Sequence, residues 1–574
     1  MKLTDKPTYI DTLILSVFTI LITLHPFYMH GKINLFEVGL YLPGIQAVLN
    51  GEVPFRDFFH LRGPFEIYMP ALLMKLFGTH IKYLYLYFYV GTILCLIGCI
   101  FVAKELLKTR YVLYLMTPVL VGRTFPRIVF TYWGGMRYAF GIWALWMIIV
   151  ALKRQNSRWM FWAGLTCALG LFTSIEVGIY VILGVLASLI VSKIFNIQET
   201  KHIIQFLKSF FAGILLVVFP YSLYLIATGA FFPYCESVFT IVTRMQDVID
   251  PHFVSIYPRN FIEALVAMLN PVHTNFKHMT PSYLYIIVLA YLVIRLRAKK
   301  IDKRDLFVVA LGVYGFVMYN TGFRGIWAAQ FEMALQPEKI LLFFLLEYSL
   351  LSLIKKKPML KSQLSSFQGK AKHWIWGKII LINFFTVVLC ASSIGYVIQR
   401  FNHRFYAFQF VRNKLTGRDT ESLKRYTHDR GRSTSIAPID GVIVPLEQAF
   451  EFEAIDNFVK EHVKSDEPIF TYPETGTYNF LVNRRFVGRF PLATMSWFNE
   501  KWHQELLADL EKEKPPHIIL KKDISQYWKD VYLAIEPNRQ KFREMMAFIH
   551  DQYELAHETP SSKIYRIKQT RKDN

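Results

Sequence analysis

The sequence predicts a mainly α protein: a polytopic transmembrane helical domain of about eleven spans, followed by a C-terminal extracytoplasmic α/β domain. Three observations predict it. Hydrophobic residues make up 53% of the 574 and charged residues only 19%, with a mean hydropathy of +0.28, which excludes an ordinary soluble enzyme. Long apolar runs recur, separated by short basic clusters. After Gln399 the runs stop and polar residues rise.

At ~17–25 apolar residues per crossing, the spans fall near Tyr9–Tyr28, Tyr83–Leu107, Tyr111–Arg123, Val129–Leu152, Trp159–Thr173, Ile175–Ile194, Phe206–Thr228, Pro281–Leu296, Leu306–Asn320, Lys339–Ile354 and Ile379–Ile398. The first has a long apolar run with no small-residue cleavage site after it, so it reads as an uncleaved anchor. Alternate threading puts Lys108–Arg110, Lys153–Arg158, Lys193–Lys208, Arg295–Arg304 and Lys355–Lys372 on one side with the N-terminus. Those clusters mark the cytoplasmic face. They also account for the net charge of +22 without nucleic acid as a partner. The expected partners are the lipid bilayer and whatever is handled at its outer surface.

The other face then receives residues 29–80, the short Arg123–Arg127 connection, the 229–280 segment, the Gly322–Gln330 connection and everything after about Gln399. This divides the chain into a membrane domain, 1–398, and an outer domain, 399–574. In the outer domain Glu447–Val463 has a helical period, Pro468–Tyr472 reads as a buried strand, and Phe486–Phe490 and His517–Leu520 are further strand candidates. The five cysteines form no CxxC or Cys/His cluster, so neither a disulfide framework nor a zinc site is expected.

The chemistry is concentrated in the first outer loop. Residues 36–78 carry Glu37, Glu52, Asp57, Glu66, Arg56, Arg62 and His60, with Asn50-Gly51 and Gly63-Pro64 as turn signals. Lipid tails would not tolerate that composition. A helix over 37–50, kinked at Pro43 and stopped at Asn50-Gly51, would put Glu37 and Tyr41 on one face and lie along the membrane surface. Pro54 then extends the backbone, Asp57 and His60 follow on a turn, and Gly63-Pro64 precedes a second apolar helix near Tyr68–Phe77.

Ionisable residues in or beside spans are functional candidates. Arg137 lies about two turns into the fourth span, in YWGGMRYAFG; Glu176 starts the sixth; Arg123 and Arg127 bracket the turn between the third and fourth; Arg324 begins a connection rich in small residues. All five belong to the same outer face as the acidic loop. Such arginines suit a phosphate held by paired charge-assisted hydrogen bonds. Glu347, on the cytoplasmic half of the tenth span, is a weaker candidate.

These features together resemble a family. A first span, an outer loop with an acid near its start (FEVGLY), then G-x-x-P-[FY]-x-D and Gly-Pro (GEVPFRDFFHLRGP), is similar to the GT-C superfamily of polyprenyl-phosphate-sugar glycosyltransferases. The branch it most resembles contains protein O-mannosyltransferases and the aminoarabinose transferase of lipid A. The resemblance implies an enzyme that moves a single sugar from a polyprenyl-phosphate donor to an acceptor hydroxyl on a glycan, lipid or protein. It places that enzyme in a bacterial inner membrane, with the active site and outer domain on the periplasmic side. Glu37 matches the catalytic acid, usually Asp in the family, and Asp57 the second acidic position. Tyr41, His60, Arg62, Arg123, Arg127, Arg137, Glu176 and Arg324 would bind substrate or the lipid phosphate. His60 and Arg62 fall where mannosyltransferases carry His-Pro-Pro, whereas here Leu61-Arg62-Gly63 intervenes before Pro64. The resemblance implies no nucleotide and no certain cofactor, the lipid-linked sugar donor being a substrate; a divalent ion on Glu37 and Asp57, as in some superfamily members, is the less favoured expectation. The alternatives are a polysaccharide polymerase or ligase using a lipid-pyrophosphate glycan, and a polytopic transporter. Against the former, the chemically dense loop is the first; against the latter, no internal repeat is present.

Overall fold

The structure is a computed structural model that describes residues 5–25, 30–124, 136–249, 258, 260–267, 276–323, 327–354, 394–395, 398, 405–418 and 431–568. Ten of the expected spans coincide with helices. They are α1 (Tyr9–Thr23), α5 (Ile81–Leu106), α6 (Arg110–Thr124), α7 (Met136–Arg154), α8 (Ser157–Thr173), α9 (Ile175–Ile194), α10 (Thr200–Ala227), α13 (Phe276–Arg297), α14 (Lys303–Gly322) and α15 (Trp327–Ile354). Most of the eleventh, Ile379–Ile398, lies outside the described residues. Among the described residues six helices are long and apolar enough to cross a membrane. Their outward faces need lipid: α10 exposes Leu215, Phe219 and Ile226 to about 60%, a surface water would not support.

Small residues set the closest helix approaches. A Cβ on Gly164 of α8 would lie 1.9 Å from the Phe210 carbonyl oxygen of α10, and one on Gly213 of α10 would lie 2.1 Å from that of Phe161. Without hydrophobic drive between helices in lipid, such backbone-on-backbone packing supplies the association.

At one end of the bundle the basic clusters meet buried acids. Asp11 of α1 takes Arg110 of α6 at 2.9 Å. Glu105 takes Lys104 at 2.8 Å and also Lys153 of α7, and Glu347 of α15 takes Arg304 of α14 at 2.6 Å. Glu347 also accepts the Lys108 and Thr109 amides, so it fastens a helix junction. The ends gathered here are the start of α1, the end of α5, the start of α6, the end of α7, the start of α14 and the end of α15, as alternate threading requires.

The opposite end holds the first loop and the outer domain. In the loop, α2 (Leu35–Gly39) and α3 (Leu42–Leu49) replace the single kinked helix expected over 37–50. The break falls just before Pro43, which sits in the first turn of α3, where its missing N–H costs nothing; Gly51, at φ +93°, ends α3. Neither helix simply lies on the membrane surface, because the outer domain covers them. The second loop helix, α4 (Phe65–Phe77), starts three residues earlier than expected, since Pro64 serves as its cap and brings Glu66 into the first turn. Beyond α10 lie α11 (Phe231–Val248) and α12 (Phe261–Ala267).

After α16 (Tyr406–Leu415), the outer domain contains α17 (Leu446–His462), β1 (Ile469–Tyr472), α18 (Thr477–Leu481), α19 (Glu500–Glu513), β2 (His517–Lys521), α20 (Glu536–Gln552), β3 (Tyr553–Glu558) and β4 (Ser562–Ile567). The sheet order is β1-β2-β4-β3, with β1 and β2 parallel and the other pairs antiparallel. The strand expected at Phe486–Phe490 is absent. Gly488, at φ +60°, breaks the extended backbone there, and the two phenylalanines turn onto the loop, Phe486 on Phe58 and Phe490 on Phe59.

The domain grips the loop by name. Gln448 exchanges hydrogen bonds with both backbone groups of Ile33 (2.9 and 2.6 Å). The Thr477 hydroxyl donates to the Leu35 carbonyl at 2.5 Å, and the Phe59 amide donates to the Arg489 carbonyl at 2.6 Å.

Candidate active site

The site is assembled from three parts of the chain. Asn34 caps α2, its side-chain oxygen accepting the Phe36 and Glu37 amides (3.2 and 3.1 Å). Glu37 is thereby fixed in the first turn, half-buried, where the helix dipole favours a carboxylate. Tyr41, at the start of α3, is 1% exposed and packs edge-on against Phe88 of α5 and His60. Burial raises its phenol above the ordinary range, and Glu66 is the next cause.

The turn carrying Arg62 is jammed against the junction of α8 and α9. The Gly63 amide donates to the Thr173 carbonyl at 3.3 Å, and a Cβ on Gly63 would lie 2.0 Å from the Phe172 carbonyl oxygen. Only glycine fits so close a backbone approach. This seats Arg62 within electrostatic range of Tyr41, Glu66, Glu176 and Tyr138. His60, buried beside it, is pushed down to about 3, first by burial and then by the Arg62 charge.

Arg137 completes the cluster from α7. It is 2% exposed, its guanidinium lies over the Tyr138 ring at 4.5 Å, and its Nε and one Nη have no hydrogen-bond partner among the described residues. Glu66 faces it, 1% exposed, with Oε1 likewise unpartnered. The Glu66 carboxyl is pushed up to about 7 by burial, against the opposing pull of Arg137, Arg62 and a hydrogen bond with Tyr41. Beside this cluster, His60, Arg62 and Glu176 line a cavity of about 90 Å³ closed by Tyr234, Ser237 and Met245 of α11. Tyr180 of α9 reaches Glu176 at 3.5 Å and Thr321 at 2.7 Å.

Of the residues singled out in the sequence, Glu37, Tyr41, His60, Arg62, Arg137 and Glu176 therefore share one electrostatic neighbourhood. Asp57 stands apart from it. Both its oxygens hold Arg56 (2.8 and 2.7 Å) and one also accepts the Val53 amide at 2.7 Å. The Arg56 hydrogen bond keeps its carboxyl below the usual range, and Arg56 continues to the Thr228 carbonyl at the end of α10 at 3.1 Å. Arg123 is helical in α6; its side chain, Arg127 and Arg324 lie outside the described residues. Among the described residues no three of His, Cys, Asp and Glu converge on a metal site. The residue the sequence reading missed is Glu66. Its signal was present, an acid one turn after Arg62 and just past Gly-Pro, but a first-turn glutamate ordinarily reads as a surface charge favoured by the dipole.

No protein-family model and no curated protein sequence matches the chain. Solved structures do. ArnT from Cupriavidus metallidurans bound to undecaprenyl phosphate superposes with a TM-score of 0.50 over 97% of both chains, at 8% identity. The chain has the fold of ArnT. In this chain that fold brings the first loop and the C-terminal domain to the same end of the helix bundle. The oligosaccharyltransferase of Archaeoglobus fulgidus gives 0.49 at 11% identity, over 89% of this chain and 68% of the other. The arabinofuranosyltransferase AftD from Mycobacteria gives 0.41 at 10% identity, over 99% of this chain and 40% of the other.

Proposed function

We propose that this protein is an integral-membrane glycosyltransferase that moves a single sugar from a polyprenyl-phosphate donor to an acceptor hydroxyl at the outer face of a bacterial inner membrane. One observation carries the reading: Arg137, buried in an apolar helix, keeps two donor nitrogens unpaired among the described residues and, like Arg62, acts electrostatically on both Tyr41 and Glu66. A guanidinium is costly to bury without a partner, and an anionic head group entering from the lipid side supplies one. ArnT, whose fold the chain shares, was solved with undecaprenyl phosphate bound.

In this reading Glu37 accepts the proton of the acceptor hydroxyl as its oxygen attacks the anomeric carbon, and the bond from that carbon to the phosphate oxygen breaks. The electron pair leaves on the phosphate, where Arg62 and Arg137 stabilise the growing charge in a desolvated site. Asp57 closes the Val53–Asp57 turn by accepting the Val53 amide, and Arg56 ties that turn to the end of α10, so the pair orients the loop.

The test is the lipid that co-purifies with the detergent-extracted protein, identified by mass spectrometry. The reading expects a polyprenyl phosphate, lost in Arg137→Ala. A pyrophosphate-linked glycan in its place would favour a polymerase or ligase, and a polyprenyl phosphate retained undiminished by Arg137→Ala would remove Arg137 from the site.

A further inference from the structure

Glu66 has no part in that reaction, yet it is buried among the charges of the site. Its helix begins directly after the Gly63 contact with the end of α8, so the carboxylate sits on a rigid support. The charged and titratable groups facing it come from three elements: Tyr41 and Arg62 from the loop, Arg137 from α7, and Tyr87 from α5. Beyond these, Glu37 acts on Tyr41 and Glu176 on Arg62, and His60 adjoins Arg62. Glu66 Oε1 and Arg137 Nε and Nη2 are buried without hydrogen-bond partners among the described residues. Buried unpartnered atoms thus stand on both a carboxylate and a guanidinium that act on each other electrostatically.

An anion that reaches Arg137 must share it with Glu66. Resting on the donor reading above, we propose that Glu66 is a specificity residue that discriminates between phosphate charges. It tolerates the singly charged phosphodiester of the donor and, by like-charge repulsion, weakens the hold on the doubly charged monoester that remains after transfer. Two arginines with no acid between them would bind the leaving lipid phosphate more tightly than the donor and stall on product. A neighbouring carboxylate opposes that second charge, and a charge at 4–6 Å shifts an ionic equilibrium by about tenfold or more.

The carboxylate's ionisation gives the effect a pH signature. With its proton affinity raised to about 7, Glu66 is neutral below that pH and repulsive above it. The phosphomonoester gains its second charge over a similar range, near pH 6, whereas a phosphodiester keeps one charge throughout.

The experiment uses the full chain in detergent with two probes, farnesyl phosphate and its methyl phosphodiester, their affinities measured at pH 6 and pH 8. In Glu66→Gln at pH 8, farnesyl phosphate should bind about tenfold tighter or more, the methyl ester should tighten less, and the preference should swing toward the monoester. At pH 6 variant and wild type should nearly coincide. An unchanged ratio of the two affinities at pH 8 would overturn this inference and leave the donor reading standing. If neither probe binds the wild type, the donor reading falls and this inference with it. Should the variant not fold, the wild type alone decides: its affinity for the constant-charge methyl ester should weaken several-fold from pH 6 to pH 8, and a flat or rising profile contradicts the role.

Discussion

At the scale of single residues, the site is a cluster of buried charges in which Arg137 and Glu66 keep polar atoms unpartnered among the described residues. If Arg137 holds the lipid phosphate, Arg137→Ala should weaken donor binding by ~1.5–3 kcal/mol, the worth of a desolvated charge-assisted hydrogen bond. Lysine should rescue only part, because it lacks the bidentate fork. Donor affinity measured on the three proteins checks this, and equal affinities would make the residue structural. His60 offers a stability test. Its folded-state proton affinity is depressed to about 3, below the ~6.5 of an unfolded histidine. Between those values the unfolded chain binds the extra proton, so stability falls as pH drops below ~6.5. Relative to His60→Gln, the wild type should lose about 2 kcal/mol between pH 7 and pH 5, read from thermal unfolding of both proteins in detergent. Glu66, whose proton affinity is raised, runs the other way, which is why the comparison is made against the His60 variant. Much of this cluster was legible in the sequence, because a charge in an apolar run announces itself. Arg137 and Glu176 were found that way. Asp57 was chosen by motif position, and its pairing with Arg56, like the burial of Glu66, is visible only in the fold.

At the scale of elements, the loop works because its backbone is pinned at both ends of the reactive stretch. Gly63 rests on the Phe172 carbonyl, so Gly63→Ala must push the turn away by overpacking, at ~1–3 kcal/mol. Helix content should stay unchanged by circular dichroism while Arg62 and Glu66 move, and a displacement of about 1 Å is enough to lower turnover ~100-fold. Normal turnover in that variant would show that the seating of the turn is unimportant. The spans were legible because period and length both exceed what a soluble helix needs. The outer domain was read less well. The helix at 446–462 and the strands at 469–472 and 517–521 appear where expected, but the β3–β4 pair was missed. Its first strand is polar, with most of its residues exposed, so no alternation or apolar run marked it. The Phe486–Phe490 segment erred in the opposite sense, since apolar residues that serve a docking surface resemble those that serve a strand.

At the scale of the whole molecule, the ionic fasteners at one end and the loop with its covering domain at the other follow from a single rule of alternation. Each span delivers the next connection to the opposite side, so the arginines of α7 and of the first loop arrive together although 75 residues apart in sequence between Arg62 and Arg137. The outer domain then closes over the loop through Gln448, Thr477 and Arg489. The central claim is that this assembly transfers sugar with Glu37 as the base. Its most direct measurement compares wild type and Glu37→Gln, each purified and supplied with polyprenyl-phosphate sugar, for both transfer rate and donor affinity. The account predicts turnover lower by ~10²–10⁴-fold with donor affinity nearly intact, because the amide keeps the shape but cannot take the proton. Normal turnover, or turnover reduced only in step with donor affinity, would contradict it.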